Sequence, residues 1–209
     1  MIYKYLKVAT ATSVLALGMA QAAHSAPILT ISGEGVAAAE AAELQFLASF
    51  QPGSAVAEDF EAFSPAVDAS QQSLVIASAV GSFSMDSPGS GGICDSSSIY
   101  TCDDGLAVLD DANSPFIGRF AMPTGSENWL DSMDAETATY SPTAGYNAVG
   151  FYLTDTNDQG GSFSIGGDTY DFANIFGGPN ATGSVYYVTL FDGDGLSDMT
   201  FYANNSKDG

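Results

Sequence analysis

Asp192-Gly193-Asp194-Gly195-Leu196-Ser197-Asp198 has the D-x-D-G-x-x-D spacing that can curl carboxylates round a hard cation. Calcium takes about six to eight oxygens from such groups, so Asp192, Asp194 and Asp198 are the candidate Ca²⁺ ligands. The stretch lacks the third Asp and the distal Glu of an EF-hand, and Asp-Gly is also a strong turn signal. The competing expectation is therefore a hairpin between Tyr186–Phe191 and Met199–Ala203. A second candidate is Asn128-Trp129-Leu130-Asp131, which holds the only tryptophan. An exposed Trp129 would stack on a sugar ring while Asn128 and Asp131 take its hydroxyls; a buried one would plug the end of a core. Arg119, between Ile117-Gly118 and Phe120, is expected to pair with a buried acid.

The other chemistries fall away on residue type. The single histidine, His24, lies near the N-terminus, so a Ser-His-Asp or Cys-His system lacks its base and a zinc site lacks its imidazole. Gly160-Gly161 and Gly177-Gly178 are not followed by the Lys-Ser/Thr of a phosphate loop and read as turns. Two carboxylates suffice for a glycosidase, which keeps a carboxylate-dependent carbohydrate hydrolase or lyase as the enzymatic alternative. Nothing in the sequence marks one acid of the 25 as special. Cys94 and Cys102 have no further soft ligands near them, and their spacing fits a local disulfide in an exported chain. Closing a loop of about nine residues is worth roughly 2.5 kcal/mol in the chain-entropy account.

Charge sets the partners. The 209 residues carry 25 acids against four Lys and Arg, a formal net charge of −21. Two of those cations, Lys4 and Lys7, precede the apolar stretch Val8–Met19 and the small-x-small triplet Ala20-Gln21-Ala22, which together read as a secretory signal ending at residue 22, or as late as 26. The stretch is too short to span a bilayer, which takes about 20 residues. Only Arg119 and Lys207 remain, too few for a nucleic-acid-binding stripe, and no later segment is long enough to be a transmembrane helix.

After a strand at Pro27–Ser32, Val36–Phe50 is the one helical pattern, closed by Pro52-Gly53. Val36, Phe46, Leu47 and Phe50 share a side, and Glu43 intrudes on it. Residues 27–53 thus form an N-terminal strand and helix, and 54–209 a β domain. Its candidate strands are Ala55–Phe63, Ser73–Met85, Leu106–Leu109, Phe116–Met122, Thr137–Tyr140, Tyr146–Thr154, Ser162–Ile165, Thr169–Phe172, Ser184–Phe191 and Met199–Ala203. Ser184–Phe191 is apolar on both alternating sets, which places it centrally in a sheet. Many short strands between turn signals, with no helix after each, predict an antiparallel sandwich.

Six segments in order carry a family resemblance: Ala41-Ala42-Glu43-Leu44-Gln45-Phe46-Leu47-Ala48-Ser49 with Glu58-Asp59-Phe60-Glu61-Ala62-Phe63; Pro115-Phe116-Ile117-Gly118-Arg119-Phe120; Asn128-Trp129-Leu130-Asp131-Ser132-Met133-Asp134; Asn147-Ala148-Val149-Gly150-Phe151-Tyr152-Leu153-Thr154-Asp155; and Asp158-Gln159-Gly160-Gly161. In these the chain resembles exported proteobacterial proteins of unknown activity that usually end in a PEP-CTERM (VPLPA-type) sorting tail. The resemblance implies a jelly-roll sandwich exported to the cell surface or extracellular matrix of a Gram-negative bacterium, and it carries over no catalytic residue. Here Asn204-Asn205-Ser206-Lys207-Asp208-Gly209 stands where the tail would begin. A truncated or tail-less member is the expectation, with a sheet edge left open to strand addition by a partner or another copy. The functional expectation is a non-catalytic surface or matrix protein that binds extracellular polysaccharide, with Ca²⁺ as a structural ion.

Overall fold

The computed structural model describes residues 26–89, 99–133, 135–156, 161–177 and 182–203. Eleven strands and two helices follow one another in this order: β1 (Ile28–Ile31), α1 (Val36–Ala48), β2 (Val75–Ser78), β3 (Gly81–Ser87), β4 (Ala107–Asp110), β5 (Asn128–Asp131), β6 (Thr137–Pro142), β7 (Ala148–Thr154), β8 (Ser162–Ile165), β9 (Asp168–Asp171), α2 (Phe172–Ile175), β10 (Val185–Phe191) and β11 (Met199–Tyr202). All pairings are antiparallel, in a six-stranded sheet β2-β3-β6-β11-β8-β9, a three-stranded sheet β1-β10-β7 and a ribbon β4-β5.

Period-two alternation turns this pairing into a core. Register aligns Ile76, Phe83, Tyr140, Met199 and Ile165 across five strands of the large sheet. One face therefore gathers the large apolar side chains. Against its β6-β11-β8 side packs the small sheet, through Leu29 and Ile31 of β1, Tyr186, Val188 and Leu190 of β10, and Val149, Phe151 and Leu153 of β7. Against its β2-β3 side packs the ribbon, where Leu106, Val108 and Leu130 meet Ile76, Phe83 and Met85. The fold is a sandwich whose second layer is split in two. Phe163, Leu190 and Val188 are fully buried between the layers, each worth roughly 1.5–3 kcal/mol of transfer free energy. From β6 onward the chain passes repeatedly between layers.

As expected, β10 is central: its even-numbered residues fill the sandwich and its odd-numbered ones, Val185 and Tyr187, meet the helix α1. That helix docks by Ala39, Ala42 and Phe46 on the outer face of the small sheet. Glu43 lies on the docking side because it has a partner there: the Tyr152 hydroxyl donates to Glu43 Oε2 at 2.8 Å. The helix stops at Ala48, short of the expected Phe50, whose ring instead packs edge-on against Phe46 at 4.9 Å. β1 is thus a strand of the sandwich, and α1 packs against its outer face.

Several expected elements differ. Ser73–Met85 is the hairpin β2-β3 rather than one strand. Ala55–Phe63 forms no strand: Phe60 sits at φ 58, and the Glu58 carboxylate accepts from its N–H at 3.0 Å, folding the segment into turns. Phe116–Met122 forms none either, since Gly118 takes φ 93 and lies against Gly183. Nor is Asp192–Asp198 a hairpin. β10 and β11 belong to different sheets, so these residues form an arch across the sandwich.

Candidate functional site

Asn128, Trp129 and Asp131 alternate along β5, which pairs with β4. Sequence reasoning treated this stretch as a site and missed the strand. Asp131 is 3% exposed and Trp129 8%. The indole Nε1–H donates to Asp131 Oδ2 at 3.1 Å, while Asp131 Oδ1 accepts from Met133 N at 2.9 Å and from Arg119 Nη1 at 2.9 Å. The guanidinium also lies 3.6 Å from the centroid of the Phe116 ring. A buried carboxylate with three donors has its hydrogen-bonding needs met within the fold. Trp129 packs with Ala66, Tyr100, Cys102, Leu109 and Met133 in the cluster behind the ribbon. It offers no free face to a sugar, which corrects the platform expectation. The expected acid partner of Arg119 is Asp131.

Asn128 is also inward, 7% exposed. Its amide donates to the carbonyls of Phe60 and Phe63 at 3.2 Å, tying the 58–63 turns to β5. The three expected ligand residues are brought together as a frame.

The cation trio is not brought together. Asp192 is buried, and its Oδ1 accepts from Asp194 N at 2.9 Å, an Asx turn that shapes the arch. Asp194 and Asp198 are exposed. Among the described residues no three His, Cys, Asp or Glu side chains form a group able to hold a metal ion. This corrects the Ca²⁺ expectation at Asp192, Asp194 and Asp198. Cys102 is 5% exposed within the Trp129 cluster, whereas Cys94 lies outside the described residues, so their disulfide stays an expectation from spacing.

Other acids are spent the same way. Glu61 Oε1 accepts from the N–H groups of Glu127 and Asn128 at 2.7 and 3.1 Å. Asp155 Oδ1 takes Gly183 N at 2.9 Å, and Glu40 takes Thr124 N at 2.8 Å. Bonds from Thr124 hold the Glu40 carboxyl below the usual range. Glu58 Oε2 accepts from Ala79 N at 3.0 Å beside β2, and a bridge between Ser73 and Leu106 closes the other end of that edge. Edge strand β9 carries the exposed Asp168 and Asp171, which oppose pairing with another acidic chain.

No family model, curated protein or solved structure matches this chain.

Two surfaces among the described residues bear on binding. A shallow groove of about 400 Å³ runs along α1 over Thr30, Ser32 and Thr189. The outer face of the six-stranded sheet is the other, and sequence reasoning passed over it. Where the inner face gathers apolar side chains, register places Val75, Ser84, Thr139, Thr200, Ser164 and Thr169 in one row across all six strands. A second row aligns Thr137, Tyr202, Ser162 and Asp171. The signal was present as Ser and Thr at alternate positions of separate strands.

Proposed function

We propose that this protein is a non-catalytic, exported sandwich that serves as a component of a Gram-negative cell surface or extracellular matrix, in contact with polysaccharide. The export reading rests on residues 1–22. The non-catalytic reading rests on one observation above others: Asp131, the acid most deeply placed beside the lone tryptophan and the sole described cation, is bound by Arg119, Trp129 and Met133 at once. Such an acid holds a fold together, both of its carboxylate oxygens being occupied by groups of the chain itself.

The alternative from another class, a carboxylate-dependent hydrolase or lyase, is tested by incubating the protein with neutral and acidic polysaccharides and following reducing ends and unsaturated products. The expected result is no release above buffer. Release that disappears in Asp131→Asn, with the fold intact, would replace this reading with the enzymatic one.

Self-assembly through a sheet edge is the competing structural role. The small sheet ends in β1, four uncharged residues with Ile28 62% exposed, the edge at which a second copy could add without like-charge repulsion. Sedimentation in dilute solution decides it: a monomer is the expected result.

A further inference from the structure

We propose that the outer face of the six-stranded sheet binds a neutral, hydroxyl-rich polysaccharide laid flat across its strands. This inference rests on the surface-protein reading above and names the surface that makes the contact.

Three observations carry it. The first is the row itself. From Ser84 to Thr169 five consecutive strands each present a hydroxyl residue in register. Neighbouring strands lie about 4.8 Å apart, so the row runs for roughly 19 Å, with a second row about 7 Å away along the strands. A hydroxyl both donates and accepts, as the sugar hydroxyls of a polysaccharide do, so such an array can satisfy either polarity along its length. Thr139 Oγ1 and Thr200 Oγ1 lie 3.0 Å apart, showing that side chains of adjacent strands converge on the same surface.

Tyr202 supplies the second observation. It lies in the second row between Thr137 and Ser162 and is 42% exposed. An exposed aromatic ring on a hydroxyl face offers the apolar platform on which the C–H face of a sugar ring stacks. Val75, 56% exposed, extends the apolar contact at the β2 end of the first row. None of the buried clusters draws on a residue of this face, and α1 lies against the other sheet.

The third observation is charge. Asp86 and Asp171 stand on the face itself: Asp171 is the register partner of Ser162, and Asp86 accepts from Ser84 Oγ at 3.2 Å and from Thr139 Oγ1 at 2.6 Å. Among the described residues no Lys or Arg stands on it. With −21 on the whole chain, an acidic polymer is repelled, and a neutral one is not.

The test is co-sedimentation of the full chain with microcrystalline cellulose, chitin and an insoluble β-1,3-glucan, with alginate gel as the acidic comparison. Retention on at least one neutral polymer and none on alginate is expected. Tyr202→Ala, and separately Thr139→Val with Thr200→Val, should each weaken retention about tenfold. Thr189→Val, on the other sheet, should leave it unchanged. Far-UV circular dichroism establishes that each variant is folded. Should Tyr202→Ala unfold, the valine pair decides alone, since valine keeps shape and strand preference. Two results would overturn the proposal: wild-type protein retained by none of the neutral polymers, or retention unaffected by the face substitutions. Either leaves the surface-protein reading standing, because that reading falls to product release instead.

Discussion

Asp131 and Arg119 meet at 2.9 Å with 2% of the aspartate side chain and 22% of the arginine side chain exposed. The pair fastens the Pro115–Met122 segment to β5 and fixes the indole of Trp129 from the other carboxylate oxygen. Burying one charge without its partner costs far more than the pair itself contributes. Asp131→Ala should therefore destabilise by about 3–5 kcal/mol, and Arg119→Met by a comparable amount. The double substitution should recover part of the loss. Urea unfolding of the four proteins measures this; additive single effects would mean that the two side chains do not act as a unit.

Asp192 shapes the arch by accepting from Asp194 N. Asp192→Ala should cost about 1–2 kcal/mol by leaving that amide unpaired, and millimolar Ca²⁺ should not move the melting temperature of wild type or variant. A calcium-dependent rise in wild type, abolished by Asp194→Asn, would restore the cation reading, because a ligand of the native state must stabilise it.

Gly150 faces α1 where a Cβ would meet the hydroxyl of Tyr187 and lie 2.9 Å from Phe46 Cε1. Both rings are held, Tyr187 at 4% exposure, so neither can withdraw cheaply. Gly150→Ala should cost about 1–3 kcal/mol by overpacking, and Tyr187→Phe should rescue part of it by removing the hydroxyl. Thermal melts of the two single variants and the double variant check the coupling; an absent rescue would place the strain elsewhere.

Alkaline pH should unfold this protein through its buried phenols. Burial, with a smaller contribution from Tyr146, pushes Tyr140 up to about 12. Burial and then the Glu43 carboxylate push Tyr152 and Tyr187 upward as well. A raised folded pKa gives stability that is complete below the unfolded value near 10 and is lost as pH rises through the folded value. Unfolding free energy should fall steadily above pH 10, and absorbance at 295 nm should show a late group of tyrosines ionising with the loss of structure. A single titration near pH 10 with no change in stability would contradict this.

Much of this fold was legible where the pattern is local. Ser184–Phe191, apolar on both alternating sets, was expected to be central and is, whereas Glu43 read only as an intrusion on the apolar side of α1 until Tyr152 was placed against it. What escaped depends on partners distant in sequence. Asp192-Gly193 reads as a hairpin until β10 and β11 are assigned to different sheets. Asn-Trp-Leu-Asp reads as a site because its polar residues look exposed, yet both point into packed surroundings supplied by residues 60–63 and 119. The Ser/Thr rows were written two residues at a time on separate strands. Only the register turns them into one surface.

The residues that look like a site are the frame of the core, and contact is made elsewhere. Trp129 reports on this directly, being the only tryptophan. Its emission in the folded protein should be blue-shifted and resist acrylamide, with a Stern–Volmer constant about tenfold below that in urea, an extent set by its 8% exposure. Adding cellohexaose should change neither the emission nor the quenching. Red-shifted emission fully open to acrylamide, or protection of Trp129 by the sugar, would contradict the account and return the binding site to Asn128, Trp129 and Asp131.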